Sequence, residues 1–183
     1  MIVDAGGLVA GVTQVASPNC DSRPEGMPIV LAVIHGISLP PGEFGGDAIA
    51  RLFTNRLDAG AHPSFAGIAA LRVSAHFLIR RDGALVQFVR CSLRAWHAGE
   101  SSWRGRVRCN DFSIGIELEG TDVLPYADAQ YRVLAALLRA LRRRYPIRAI
   151  AGHSDIAPGR KTDPGPAFDW RRVEGTARLS RVV

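Results

Sequence analysis

Lysine is nearly missing from this chain: of 23 basic residues, 22 are arginine and one, Lys161, is lysine. Whatever bias replaced lysine elsewhere spared this position, which points to a need for a compact, rotatable ammonium where a planar fork would not serve. One lysine placed by chance is the bland alternative. Cysteine is scarce too. Cys20, Cys91 and Cys109 are odd in number, far apart and form no C-x-x-C pair, which excludes a disulfide framework and a structural zinc knuckle and suits a reducing cytoplasm. No stretch approaches the roughly 18 uninterrupted apolar residues of a membrane-spanning helix, so no membrane partner is expected. The first 16 residues contain Asp4, neither lysine nor arginine, and glycines at 6, 7 and 11, which does not read as a secretion signal. Internal repeats and low-complexity tracts are also lacking.

What remains is ordinary for a globular protein. A chain of 183 residues with 47% apolar and 22% charged residues fits one domain with a sizeable core, expected over residues 1–183. The net charge of +6 and the pI near 10.0 raise the question of a nucleic-acid partner. The arginines are spread along the chain, however, and the densest run, Arg142-Arg143-Arg144, sits on a predicted helix with an apolar opposite face. A solvated face is the simpler reading, and no nucleic acid is expected. A basic chain also attracts small polyanions, including peptides with several carboxylates. A monomer is expected.

Residues 1–27 read as irregular, with at most one short strand. The run Ile29 to Ile34 is continuously apolar and β-branched, the pattern of a strand buried on both faces, and it ends in His35-Gly36. A histidine at the exit of a central strand is well placed for a pocket, although a lone one would read as a satisfied core residue. Asp47 is a candidate N-cap for a short helix with Ile49, Leu52 and Phe53 on one face. His62, before a proline, receives no role. Arg81-Asp82-Gly83 between Val73–Arg80 and Ala84–Val89 predicts a hairpin, with His76 packed in its first strand. Residues 95–110 are polar, aromatic and arginine-rich, and predict a loop over the sheet.

In Phe112–Gly120, Ile114, Ile116 and Leu118 alternate with Gly115, Glu117 and Glu119, so a strand buries the first set and turns both glutamates to the opposite face. Glycine at 115 would leave open space beside Glu117, as for a carboxylate looking into a cavity; a plain solvent face gives the same pattern. Tyr131, Leu134, Leu137, Leu138, Leu141 and Tyr145 form the core-facing stripe of a helix that opens near Asp128 and stops at Pro146. Ile147–Ala151 predicts a short strand delivering His153. A short helix starts at 168–170, and the tail beyond Glu174 is expected to fray.

The densest chemistry lies in Gly152–Pro166. Its three prolines and three glycines argue against any helix or central strand, so a rigid loop is expected to carry His153, Asp155, Arg160, Lys161 and Asp163. His35, His153 and Asp163 make three N/O ligands with a fourth tetrahedral position left for water, the make-up of a catalytic rather than a structural zinc site. Glu117 is then a candidate base for that water. Lys161, two residues before Asp163, is a candidate to stabilise an oxyanion.

Taken together, His35 after its apolar strand, Ser74-Ala75-His76, Ala95-Trp96-His97-Ala98-Gly99, Ser113–Glu119 and Gly152–Gly165 resemble the zinc-dependent N-acetylmuramoyl-L-alanine amidases over roughly residues 17–172. Ser38-Leu39-Pro40-Pro41-Gly42-Glu43-Phe44-Gly45 and Arg108-Cys109-Asn110-Asp111 are most similar to the cytoplasmic branch of that family, which acts on 1,6-anhydro-muropeptides in cell-wall recycling. The resemblance implies an α/β fold, a mixed central β-sheet with helices packed on both faces, shared with peptidoglycan-recognition proteins. It implies Zn²⁺ on His35, His153 and Asp163, Glu117 as base and Lys161 on the oxyanion. The reaction implied is hydrolysis of the amide between the lactyl group of N-acetylmuramic acid and L-alanine of the stem peptide. Trp96 would line the sugar site, Arg72, Arg108 and Arg160 would face the peptide carboxylates of this muropeptide substrate, and Asn110 would be a further substrate-binding residue. Gly36 departs from the pattern, since relatives often carry Asn there, and a contact to the sugar would be lost. The alternative is a non-catalytic muropeptide-binding module of the same fold; such modules usually lack a zinc ligand, and all three are present here.

Overall fold

The computed structural model describes residues 1–177 and 179–181. In chain order its strands are β1 (Thr13–Gln14), β2 (Cys20–Ser22), β3 (Leu31–Ile37), β4 (Phe77–Ile79), β5 (Leu85–Gln87), β6 (Leu93–Ala95), β7 (Ser102–Trp103), β8 (Arg106–Val107), β9 (Ser113–Glu119), β10 (Ala149–Gly152) and β11 (Ser180–Arg181). The helices are α1 (Ala48–Phe53), α2 (Asp128–Arg144), α3 (His153–Ile156) and α4 (Arg171–Ala177). Seven strands form a mixed sheet in the order β1-β5-β4-β9-β3-β10-β11. Its centre, β4, β9, β3 and β10, is parallel, and β4 turns back antiparallel into β5 as the Asp-Gly signal predicts.

Parallel strands must be covered on both faces, and every residue of β9 is buried, as are Leu31–His35 of β3. On one face α2 lays Tyr131, Leu134, Leu137, Leu138 and Leu141 over Ile34, Ile114, Ile116 and Leu118. Its four stripe leucines are wholly buried, each contributing on the order of 1.5–3 kcal/mol. α4 joins this layer through Val173. On the other face α1 places Ile49, Leu52 and Phe53 with Leu78 and Val86, while Leu31 and Val33 meet Trp103, Cys109 and Phe112. The mixed sheet with helices on both faces is therefore the architecture. No described helix is long and apolar enough to cross a membrane, and all three cysteines are free.

Four local expectations are corrected. Residues 1–27 hold two strands: β1 pairs with β5 and β2 with β6, each too short for a two-residue period to show. The expected loop at 95–110 contains the β7–β8 hairpin and leads into a 3₁₀ turn at Cys109–Phe112. The region after Gly152 opens with one helical turn, α3, because the first proline comes only at 158 and Asp155 Oδ2 accepts the Gly152 N–H at 2.7 Å. The tail expected to fray continues α4 to Ala177 and adds β11 beside β10, where Arg181 donates to both Asp155 oxygens at 2.6 and 2.9 Å. Arg178, Val182 and Val183 lie outside the described residues.

Candidate metal centre and active site

Parallel pairing is what gathers this site. Strands β9, β3 and β10 are neighbours, with His35 in register with Glu117 and Ile34 with Gly152, so the carboxyl ends of three strands bring His35, Glu117 and His153 to one edge of the sheet. Ligand sites in α/β sheets form at that edge. Asp163 arrives from the loop, where its carbonyl accepts the Ser154 N–H at 2.9 Å. The Nδ1 atoms of His35 and His153 lie 3.0 Å apart. Asp163 Oδ2 is 3.4 Å from the first and 3.2 Å from the second. These groups open into a cleft of about 230 Å³ whose walls include Gly36, Trp96, His97, Glu117 and Lys161.

Burial decides the charge states. It pushes His35 down to about 4, helped by the neighbouring His153, so His35 is neutral at ordinary pH. His97 is driven well below the usual histidine range by burial and by His35 and His76 beside it. Burial also works to raise Asp163, but its close contacts with the His153 and His35 rings outweigh it and hold the carboxyl well below its usual range. Glu117 is raised well above the usual carboxylate range, first by burial and then by Asp163, with Lys161 opposing. Its Oε2 is fully buried and has no hydrogen-bond partner among the described residues, an expensive state unless something else occupies the site.

The donor set fits a small divalent cation. His153 Nε2 lies 3.2 Å from the Ala98 carbonyl, which can only accept, so that nitrogen carries the proton and Nδ1 keeps its lone pair. Two imidazole nitrogens and a carboxylate oxygen lie within 4.8 Å of one another, the N/O set that suits zinc.

The other sequence-predicted residues divide. Trp96 lines the cleft, and so does exposed Lys161. Arg108 and Arg160 border a second hollow with Gly99, Glu100 and Pro158. Arg108 pairs with Asp111 at 3.3 Å, and Arg160 donates to the carbonyls of Ala98 and Glu100 at 2.7 and 2.5 Å. Arg72 is exposed and bonds the Ala70 carbonyl at 3.3 Å. The Asn110 Oδ1 atom accepts the backbone N–H groups of His97 and Ala98 at 3.2 and 2.8 Å. Glu119 is buried but engaged, accepting from Gly45 N–H at 2.6 Å, Arg81 N–H at 3.2 Å and the Arg80 guanidinium at 3.3 Å. Both glutamates being buried, the plain solvent face is ruled out.

Two glycines are reread. The space beside Gly115 is not open, because the His97 ring lies where a Cβ would stand. At Gly36 the Tyr126 hydroxyl takes that space and donates to the Pro164 carbonyl at 3.1 Å. His76, read as packed, is buried and accepts the Gly115 N–H at 3.0 Å. His97 received no role in the sequence, yet its Nδ1 touches His35 Nε2 at 2.9 Å. Nothing in its spacing marks that contact, which crosses 62 residues of chain.

Residues 25–166 match the Amidase_2 family model, described as N-acetylmuramoyl-L-alanine amidase. The chain is 62% identical over 174 residues to the 1,6-anhydro-N-acetylmuramyl-L-alanine amidase AmpD of Citrobacter freundii, covering 94% of this chain and 92% of that one. It is 50% identical over 169 residues to the Haemophilus influenzae protein of the same name, covering 91% and 92%. A crystal structure of an AmpD selenomethionine derivative superposes with a TM-score of 0.92 at 60% identity, covering 96% of this chain and 99% of that one. The amidase AmiD of E. coli, solved with anhydro-N-acetylmuramic acid-L-Ala-D-γ-Glu-L-Lys, superposes with a TM-score of 0.60 at 30% identity, covering 98% and 66%. The matched segment encloses His35, Glu117, His153, Lys161 and Asp163 alike, and the chain belongs to the N-acetylmuramoyl-L-alanine amidase family.

Proposed function

We propose that this amidase hydrolyses the bond between the lactyl carbonyl of 1,6-anhydro-N-acetylmuramic acid and the amine of L-alanine, releasing the stem peptide during peptidoglycan recycling. The observation that carries the reading is the buried, unpartnered Glu117 Oε2 beside three converging lone-pair donors at the floor of an open cleft. The 62% identity to an AmpD supports the anhydro-sugar substrate.

In this reading His35, His153 and Asp163 hold Zn²⁺. When bound, the zinc supplies Lewis acidity, which lowers the pKa of water and polarises a carbonyl. Glu117 accepts the proton of the attacking water as the C–O bond forms, its raised basicity matching that task. The oxyanion that develops on the lactyl carbonyl faces the Lys161 ammonium, which is exposed to the cleft and makes no hydrogen bond or ion pair among the described residues. Collapse of the tetrahedral centre breaks the C–N bond, and Glu117 returns the proton to the departing alanine nitrogen. The products are a lactyl carboxylate and a free amine. Trp96 offers an aromatic face to the sugar, and Arg108 and Arg160, which line the second hollow, are read as meeting the peptide carboxylates, whereas Arg72 and Asn110 line neither hollow. We place the enzyme in the cytoplasm as a monomer, one amidase domain over residues 1–183.

Incubation with an anhydro-muropeptide tests this directly. Released peptide is expected at about one zinc per chain, is lost with a strong chelator and returns on adding Zn²⁺. Full activity in metal-free protein refutes the zinc site; binding of the muropeptide without release refutes hydrolysis in favour of a binding module.

A further inference from the structure

The two ligand histidines differ in how their tautomers are secured. His153 donates from Nε2 to the carbonyl of Ala98, which settles its protonation. His35 instead meets another imidazole, His97, at 2.9 Å, and an imidazole accepts or donates with equal ease. If the proton of neutral His35 lay on Nδ1, that N–H would point at His153 Nδ1, 3.0 Å away, or at Asp163, 3.4 Å away. The metal position would then be closed by an internal hydrogen bond.

The ambiguity is resolved two bonds further on. Ser113 Oγ lies 2.6 Å from the Cys109 carbonyl, and a carbonyl can only accept, so the hydroxyl proton points there. The same Oγ is 3.1 Å from His97 Nε2 and, its proton spent, must accept. His97 therefore carries its proton on Nε2 and offers the lone pair of Nδ1 to His35. His35 must then donate from Nε2, which leaves the Nδ1 lone pair facing His153 and Asp163. We infer that Ser113 and His97 form a hydrogen-bond relay from the Cys109 carbonyl to His35 that holds the metal site open in its metal-free state.

The relay is built rather than incidental. Ser113 is wholly buried. The His97 ring needs the missing side chain of Gly115 beneath it, and Asn110 pins the His97 backbone N–H at 3.2 Å. The Arg23 guanidinium ties down the turn, donating to the carbonyls of Asn110, Asp111 and Ser113 at 3.0, 2.9 and 2.8 Å. Ser113 and His97 are thus positioning residues, acting on the metal through His35. Outer partners of this kind typically change metal affinity by about 10- to 100-fold.

This inference rests on His35, His153 and Asp163 being metal ligands, and two measurements separate the failures. The first reads the tautomers in metal-free protein by two-bond ¹H–¹⁵N NMR of the histidine rings. His35 and His97 are both expected as Nε2–H in the parent, with His35 shifting toward Nδ1–H in Ser113→Ala. A parent His35 already in the Nδ1–H form overturns the relay without touching the ligand assignment. The second titrates zinc against a chromophoric chelator. Ser113→Ala and His97→Ala should weaken zinc by about 10- to 100-fold, whereas His97→Asn, whose Oδ1 can stand where Nδ1 stood, should recover most of the loss. Tight parent binding that Ser113→Ala leaves unchanged overturns the relay; a parent that binds no zinc overturns the ligand assignment itself.

Discussion

Glu117 and Glu119 leave the same strand on the same face, and replacing each with glutamine should produce opposite phenotypes. Glu117 Oε2 is buried without a partner, and burial together with Asp163 disfavours its charge. An isosteric neutral amide removes a poorly solvated carboxylate and no hydrogen bond from Oε2, so the melting temperature of metal-free Glu117→Gln should stay level or rise. Its kcat on anhydro-muropeptide should fall by about 10²- to 10⁴-fold, the usual contribution of a general base. Glu119 is 1% exposed and accepts from Gly45, Arg81 and Arg80. Removing its charge weakens interactions worth on the order of 1.5–3 kcal/mol, which is roughly 3–12 °C of Tm for a chain of this size. Its kcat should stay within about tenfold of the parent, since nothing places it at the cleft wall. Peptide release by chromatography and a thermal melt of both variants, metal-free and zinc-loaded, make the comparison. Equal losses of kcat, or a Glu117→Gln protein several degrees less stable with near-parental turnover, would show that the base has been misassigned.

Lys161→Ala should lower kcat by about 10²- to 10³-fold with zinc content unchanged, as for loss of an oxyanion donor, and Lys161→Arg should rescue poorly because a planar guanidinium does not reproduce a point ammonium. Near-parental kcat in Lys161→Arg would instead assign the lysine to neutralising the loop. Gly36→Ala drives a methyl into the Tyr126 hydroxyl and should cost about 1–3 kcal/mol, the usual price of overpacking. Adding Tyr126→Phe should restore part of it, a coupling that a double-mutant cycle on thermal melts measures; strict additivity would show that the two positions do not contend for that space.

Much of the frame was legible because long elements carry long signals. The six-residue run ending before His35, the alternation through Glu117 and the leucine stripe of α2 each repeat a pattern over several residues, and burial selects that pattern wherever it occurs. The short pieces were not: β1, β2 and β11 span two or three residues, and their pairing depends on partners such as Gln87 or Ile150 far along the chain. Glu117 and Glu119 show the limit most clearly. Their spacing put both on one face, and only the folded surroundings gave one a full set of donors and left the other bare.

The residue types at 35, 153 and 163 were enough to propose a three-ligand metal site, since ligand chemistry is a property of the side chain. Which nitrogen of each imidazole turns its lone pair toward the other donors is a property of the neighbours. It was decided by the Ala98 carbonyl behind His153 and by His97 and Ser113 behind His35, contacts that cross 55, 62 and 16 residues of chain. Sequence determined what could bind; the tertiary structure, by assigning every proton an acceptor, decided which lone pairs were free to do so.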